Sequence, residues 1–277
     1  MRCDSHIHIV GSAERYPQLP NRSGTMGLAQ TTNVQRLGAA RGITRFVVVQ
    51  PSFYGTDNSM MLAALDAFGG HGRGVAVIDP SSPNLAMLAD WHKRGVRGLR
   101  LNLYSPVGPE KSIERDFAAL AEIARRVQWH IQVIASIDKL VTHVGLLTTA
   151  PVPVVLDHYG VYGEERPHSE AGRALLRLLS SPHVWVKLSA PYRVSDDPLE
   201  TKPNRAWLDA ILAVASDRCV WGSDWPHTPP HESRAPAYRA IDYAGLVDDF
   251  LAALPPSFAN TVMRDNPARL YGYPAHV

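Results

Sequence analysis

The sequence predicts one α/β domain built as a (β/α)8 TIM barrel. Eight short apolar segments alternate with helical patterns, one unit per about 34 residues across the 277-residue chain. The segments are near-continuous apolar runs, as parallel strands covered on both faces are. No G-x-G-x-x-G follows the first of them, so an open dinucleotide-binding sheet lacks its signature.

The first strand is Cys3-Asp4-Ser5-His6-Ile7-His8-Ile9, followed by a polar, proline-interrupted loop from Gly11 to about Thr32 that includes Asn21 and Gly24. Asn33 to Arg41 reads as a helix stopped by Gly42, and Thr44 to Val49 as the second, β-branched strand. Asn58 to Phe68 is helical in pattern, Gly74 to Ile78 is the third strand, and Asn84 to Lys93 is a helix ended near Gly95. Val96 to Leu103 is the fourth strand. Glu114 to Val127 is an amphipathic helix with Arg125 and Arg126 in its last turn, where cations suit the dipole. Trp129 to Ala135, Val152 to His158, Val184 to Ser189 and Cys219 to Asp224 are strands five to eight. Between them Asp138–Leu147, Glu170–Leu179 and Ala206–Ala215 are helical, as are Tyr238–Leu254 and Ala259–Leu270 after the last strand.

Composition narrows the function class. A net charge of +2 without a basic run argues against nucleic acid, and no apolar stretch approaches 18 residues, so no membrane span is expected. The chain enters a strand at once, which leaves no room for a secretory signal, and two cysteines make no disulfide framework, so a cytoplasmic location is expected. Strand parity points Cys3 and Cys219 outward near the barrel bottom, as two small buried hydrophobes.

In this fold, chemistry sits at the C-terminal strand ends. His6 and His8 share one face of the first strand. Ser52 follows strand two, Arg100 and Asn102 end strand four, Gln132 lies on five and His158 ends six. Ser189 ends strand seven, with Tyr192 and Arg193 beyond it, and Asp224 ends strand eight. Asp157 has the parity of a turn residue facing away, Arg97 and Lys187 fall near strand bases as structural residues, and His227 and His231 lie in an exposed proline-rich loop. Three histidines and an aspartate suit one divalent ion such as zinc or manganese. The same four can work without metal, with Asp224 as general base on water and the imidazoles polarising a carbonyl.

These residues carry a resemblance. The H-x-H of His6 and His8, His158 and Asp224 resemble the amidohydrolase superfamily. Gln50-Pro51-Ser52-Phe53-Tyr54-Gly55, Gly98-Leu99-Arg100-Leu101-Asn102, Trp221-Gly222-Ser223-Asp224-Trp225-Pro226 and Asp265-Asn266-Pro267-Ala268-Arg269 resemble its branch of 2-pyrone-4,6-dicarboxylate and sugar-lactone hydrolases. The resemblance implies hydrolysis of a carboxylate-bearing lactone, with Asp224 as base and His6, His8 and His158 polarising the carbonyl. It implies a substrate carboxylate held by Arg100 and Arg193, with Gln132, Ser52, Asn102 and Tyr54 as further binding residues. Arg100 and Gln132 stand where a binuclear centre has a carboxylated lysine and a histidine, so no cofactor is expected, or else one ion on His6, His8, His158 and Asp224. The branch's second arginine after strand four is missing from Tyr104-Ser105-Pro106-Val107, so a monocarboxylate, sulfonated or sugar-acid lactone fits as well as a dicarboxylate. A zinc-dependent decarboxylase of the aminocarboxymuconate type, a lactone isomerase and a non-catalytic binding barrel are the competing readings. Oligomeric state is not written in the sequence.

Overall fold

The structure is a computed structural model that describes residues 1–20, 25–105, 111–229 and 237–274. Eight parallel strands follow one another in chain order: β1 (Arg2–Ile7), β2 (Ile43–Val49), β3 (Gly72–Ala76), β4 (Val96–Asn102), β5 (His130–Ile134), β6 (Val154–Leu156), β7 (Val184–Ser189) and β8 (Cys219–Gly222). They form a nearly closed barrel. The seam between β1 and β8 is made by two backbone hydrogen bonds, Asp224 N to His6 O at 2.8 Å and His8 N to Trp225 O at 2.7 Å. Gly222 permits that approach: a Cβ there would lie 2.6 Å from the His6 Cβ.

Helices α1 (Thr31–Ala39), α2 (Ser59–Phe68), α3 (Leu85–Lys93), α4 (Ile113–Val127), α5 (Ile137–Thr142), α6 (Val144–Thr148), α7 (Glu170–Leu179) and α8 (Arg205–Ala215) fill the connections. Asn84, Ser112, Ser169 and Asn204 cap α3, α4, α7 and α8 by accepting from a backbone N–H of the first turn. After β8 come α9 (Tyr243–Ala253), α10 (Pro256–Asn260), a π-helical stretch (Thr261–Asp265) and α11 (Asn266–Tyr271). The helical pattern starting at Tyr238 begins only at α9, where the Asp242 carboxylate accepts from Ala244 N and sets the N-terminus. Similarly, Asp138–Leu147 is broken between α5 and α6 at His143, and the third strand stops at Ala76. No helix among the described residues is long and apolar enough to cross a membrane.

The main core lies between sheet and helices; Phe46 of β2, for example, stacks on Phe68 of α2 at 5.0 Å. On the opposite face of β2, Val47 and Val49 pack with Cys3, Val75, Tyr271 and Tyr273 and plug the barrel bottom. Arg73 and Arg45 lie over the Tyr273 ring at 4.2 and 4.7 Å. Cys3 therefore faces inward, contrary to the parity expectation, while Cys219 faces outward and donates to Ala215 O of α8. The physical reason is an irregularity in β1 between Asp4 and Ile7, which puts Cys3 and His6 on the same side. Both thiols are free and buried.

Candidate active site

The strand ends deliver their polar groups to one cavity of about 240 Å³ at the C-terminal end of the barrel. It is lined by His8, Ser52, Arg100, Asn102, His158, Arg193 and Asp224, and also by Tyr104, Tyr192, Thr228 and Arg239. A cavity of this size suits a small ring rather than a drug-sized ligand. The backbone here is bent to a purpose. Among the described residues, seven other than glycine have positive φ, and six follow β6, β7 or β8: His158, Tyr159, Val161, Ala190, Asp224 and His227. Strain of this kind collects where geometry is set by function.

Asp224 is the centre. It is fully buried, and its two oxygens are treated differently. Oδ2 accepts from Tyr192 Oη at 2.8 Å and Arg193 Nε at 2.7 Å. Oδ1 has no hydrogen-bond partner and faces His6 Nε2 at 3.5 Å and His8 Nε2 at 3.3 Å. Burial alone would raise the Asp224 pKa; Arg193 and the surrounding histidines outweigh it and hold the carboxyl well below the ordinary range. Arg193 is oriented in turn by Thr228 Oγ1 at 2.9 Å.

His8 Nδ1 lies 2.8 Å from Val49 O, so it donates there, and this turns Nε2 toward Asp224. His6 is fully buried and neither ring nitrogen makes a hydrogen bond. Burial, then the Lys187 charge, depress its pKa. His158 Nδ1 is 2.9 Å from Ser189 Oγ, and burial lowers its pKa to about 4. The imidazole is therefore neutral, and in the tautomer that accepts from the Ser189 hydroxyl at Nδ1 it carries its hydrogen on Nε2.

Beneath this layer is a second one. Asp157 accepts from Gln132 Nε2 at 2.8 and 3.0 Å and from Arg100 Nη2 at 3.3 Å. It lies 3.4 Å from His6 Nδ1 and 3.9 Å from Lys187 Nζ. Lys187 donates to Ser5 O at 2.8 Å, and burial, against the pull of Asp157, lowers its pKa to about 8. Asp4 joins the seam: Oδ1 accepts from Ser223 N and His6 N, and Oδ2 from Tyr243 Oη. Burial pushes its pKa up to about 6, against the Ser223 bonds.

Several expectations need correction. Asp157 points into the barrel, because it continues the inward face of Val155; His158 comes inward too, since its φ of 49° breaks the alternation. His227 is buried, not exposed: its N donates to Asp224 O and its Nδ1 lies 3.3 Å from Tyr192 Oη. Gln132 is spent on Asp157 and does not line the cavity, and Tyr54 accepts from Gly11 N with its ring buried. Asn102 lines the cavity while its amide oxygen accepts from Tyr104 N and Ser105 N. Arg100 reaches the cavity with Nη1 on Gln50 O at 3.0 Å. Lys187, expected near a strand base, is the fourth of the six residues of β7 and is fully buried 3.9 Å from Asp157, directly beneath the site. His231, Asn21, Gly24, Pro106 and Val107 lie outside the described residues. Arg239 and Thr228 escaped the sequence reading because they follow β8 in a segment without a strand-end signal.

The donor set fits one cation. His6 Nε2, His8 Nε2 and Asp224 Oδ1 form one potential metal-binding group; His158 falls in another with His6 and Asp157. The two distances to Asp224 Oδ1, 3.5 and 3.3 Å, match the edge of about 3.3 Å of a tetrahedron with ligands near 2.0–2.1 Å. His6 Nε2 and Asp224 Oδ1 are buried without a hydrogen-bond partner, and a cation between them would remove that cost.

Residues 3–273 match the Amidohydrolase family. The chain is 31% identical to a 2-pyrone-4,6-dicarboxylate hydrolase of Comamonas testosteroni, covering 97% of this chain and 89% of that one. It is 28% identical to a 4-sulfomuconolactone hydrolase of Rhizobium radiobacter, with the same coverage of 97% and 89%. A crystal structure from Pseudomonas putida, described as a candidate 2-pyrone-4,6-dicarboxylic acid hydrolase, superposes with a TM-score of 0.84 at 28% identity, covering 99% of this chain and 98% of that one. With the barrel, the strand-end histidines and aspartate, and a match over nearly the whole chain, this protein belongs to the amidohydrolase family.

Proposed function

We propose that the protein hydrolyses the ester bond of a small, anionic lactone. The observation that carries this is the division of labour at Asp224: one oxygen is anchored by Tyr192 and Arg193, and the other is free at the cavity floor. The names of the two hydrolase relatives, one acting on a pyrone dicarboxylate and one on a sulfonated lactone, support it.

Arg100, at the cavity wall, holds a substrate carboxylate and turns the ring so that its carbonyl meets His158. A water attacks the carbonyl carbon and gives its proton to Asp224 Oδ1. The neutral His158 Nε2–H donates to the oxyanion as it forms. The ring C–O bond then breaks, and the proton on Asp224 passes to the departing ring oxygen, leaving an open-chain acid. Tyr192 and Arg193 keep the carboxylate from rotating during both transfers.

His6, His8 and Asp224 would hold one divalent ion, zinc or manganese. Such an ion supplies Lewis acidity and lowers the pKa of a bound water.

The test is a hydrolysis screen over carboxylated and sulfonated lactones, with chelator and with added zinc or manganese. The expected result is ring opening that Asp224→Asn reduces by about 10²–10⁴-fold. If product NMR shows isomerised lactone or released carbon dioxide instead of the open-chain acid, hydrolysis is the wrong reaction.

A further inference from the structure

The cavity holds more positive charge than that mechanism uses. Three guanidinium groups line it: Arg100, Arg193 and Arg239. Arg193 is matched by Asp224 at 2.7 Å and Arg100 by Asp157 at 3.3 Å. Arg239 has no carboxylate partner among the described residues. Its Nη1 donates to Pro198 O at 2.9 Å, and its Nε is shielded from solvent with no partner. Its backbone N donates to His227 O at 2.9 Å, which ties the segment to the chain just after Asp224. The guanidinium carbon lies 5.1 Å from the centre of the Tyr192 ring, whose hydroxyl holds Asp224. The side chain is thus held at the cavity by two contacts and its backbone by a third, with no carboxylate within ion-pair distance of the guanidinium among the described residues. Burial and the nearby Arg193 work against that charge and outweigh the support it gets from Tyr192 and Asp224. An anion in the cavity relieves both.

We propose that Arg239 is a specificity-determining residue that binds an anionic substituent of the substrate, distinct from the one met by Arg100. The inference rests on the lactone reading for the identity of the substrate, but not for the existence of the anion site. The substituent is a carboxylate or a sulfonate, since either offers oxygens to a guanidinium fork.

The test uses unreactive planar probes and calorimetry on the full chain. Isophthalate carries two carboxylates, benzoate one. Wild-type protein is expected to bind isophthalate about 10- to 100-fold more tightly than benzoate, the range for one charge-assisted contact. In Arg239→Gln that advantage falls below about threefold, and in Arg239→Lys, which keeps the charge, it falls to an intermediate value. A wild type that binds isophthalate no better than benzoate, or an Arg239→Gln variant that keeps the full advantage, overturns the proposal. Tighter binding of 3-sulfobenzoate than of isophthalate assigns a sulfonate to Arg239, and the reverse assigns a carboxylate; both support the site. With a dianionic lactone as substrate, Arg239→Gln raises KM about tenfold and changes kcat by less than threefold. If the probe result holds and no lactone is opened, the reaction is wrong and the anion site stands. If lactones are opened but the probes show no preference, the converse is true.

Discussion

Asp157→Asn tests the layer beneath the site most directly. Among the described residues, Asp157 is the one carboxylate within 4.0 Å of two buried cations, Arg100 at 3.3 Å and Lys187 at 3.9 Å. At an effective dielectric of about 20, these distances correspond to attractions of roughly 5 and 4 kcal/mol. Asparagine keeps the shape and removes both, while sparing the cost of burying the carboxylate. The net loss expected on breaking a buried pair is about 3–5 kcal/mol, and this is the figure for Asp157→Asn. The assay is urea unfolding, read as a shift in midpoint at constant slope. The double variant Asp157→Asn/Lys187→Met should be less destabilised than the sum of the single variants by about 1–2 kcal/mol, because the second change removes an unpaired cation. The pH dependence follows from the direction of the shift. Burial opposes ionisation of Asp157, but His6, Lys187 and Arg100 bring its pKa below the ordinary 3.8. Its contribution is therefore complete above about pH 4 and is lost as pH falls through the folded-state value. A loss under about 1 kcal/mol, or a gap between wild type and variant that already closes at pH 5–6, would refute the reasoning.

Tyr192→Phe removes one of the two anchors on Asp224 Oδ2; kcat should fall about tenfold with little change in melting temperature, and a loss below twofold in steady-state kinetics contradicts the anchoring role. His158, whose pKa burial lowers to about 4, stays neutral through the range where a free imidazole titrates, so it adds no step to kcat/KM between pH 5 and 7. A pH–rate profile in which a step near pH 6.5 disappears in His158→Asn contradicts that neutral state. Gly98→Ala puts a Cβ 2.4 Å from His130 Nε2 on the paired strand, so the variant should lose about 1–3 kcal/mol in denaturant unfolding. Combining it with His130→Ala should recover part of that loss.

The sequence carried the barrel because its signals are local. A run such as Phe46-Val47-Val48-Val49 is a strand whatever surrounds it, and Ser112 and Ser169 start their helices with their own side chains. It also carried the strand-end cast: His6, His8, Arg100, His158 and Asp224 sit where short parallel strands must deliver them. Parity then failed at particular places. His6 and Cys3 share a side because β1 is irregular, and Asp157 and His158 both turn inward because His158 takes a positive φ. Alternation is a property of regular backbone, and the site is where the backbone is least regular.

What the sequence by itself determined is the (β/α)8 fold and the set of ionisable groups at its C-terminal end, since both follow from periodicity along the chain. Only the tertiary structure decided how those groups are paired: that Asp224 Oδ2 is held and Oδ1 is free, that Gln132 and Lys187 support Asp157, that His227 is buried, and that Arg239 reaches the cavity. Each of these is a contact between residues far apart in sequence, set by barrel closure and by the loops that cross its mouth. No local pattern encodes such contacts.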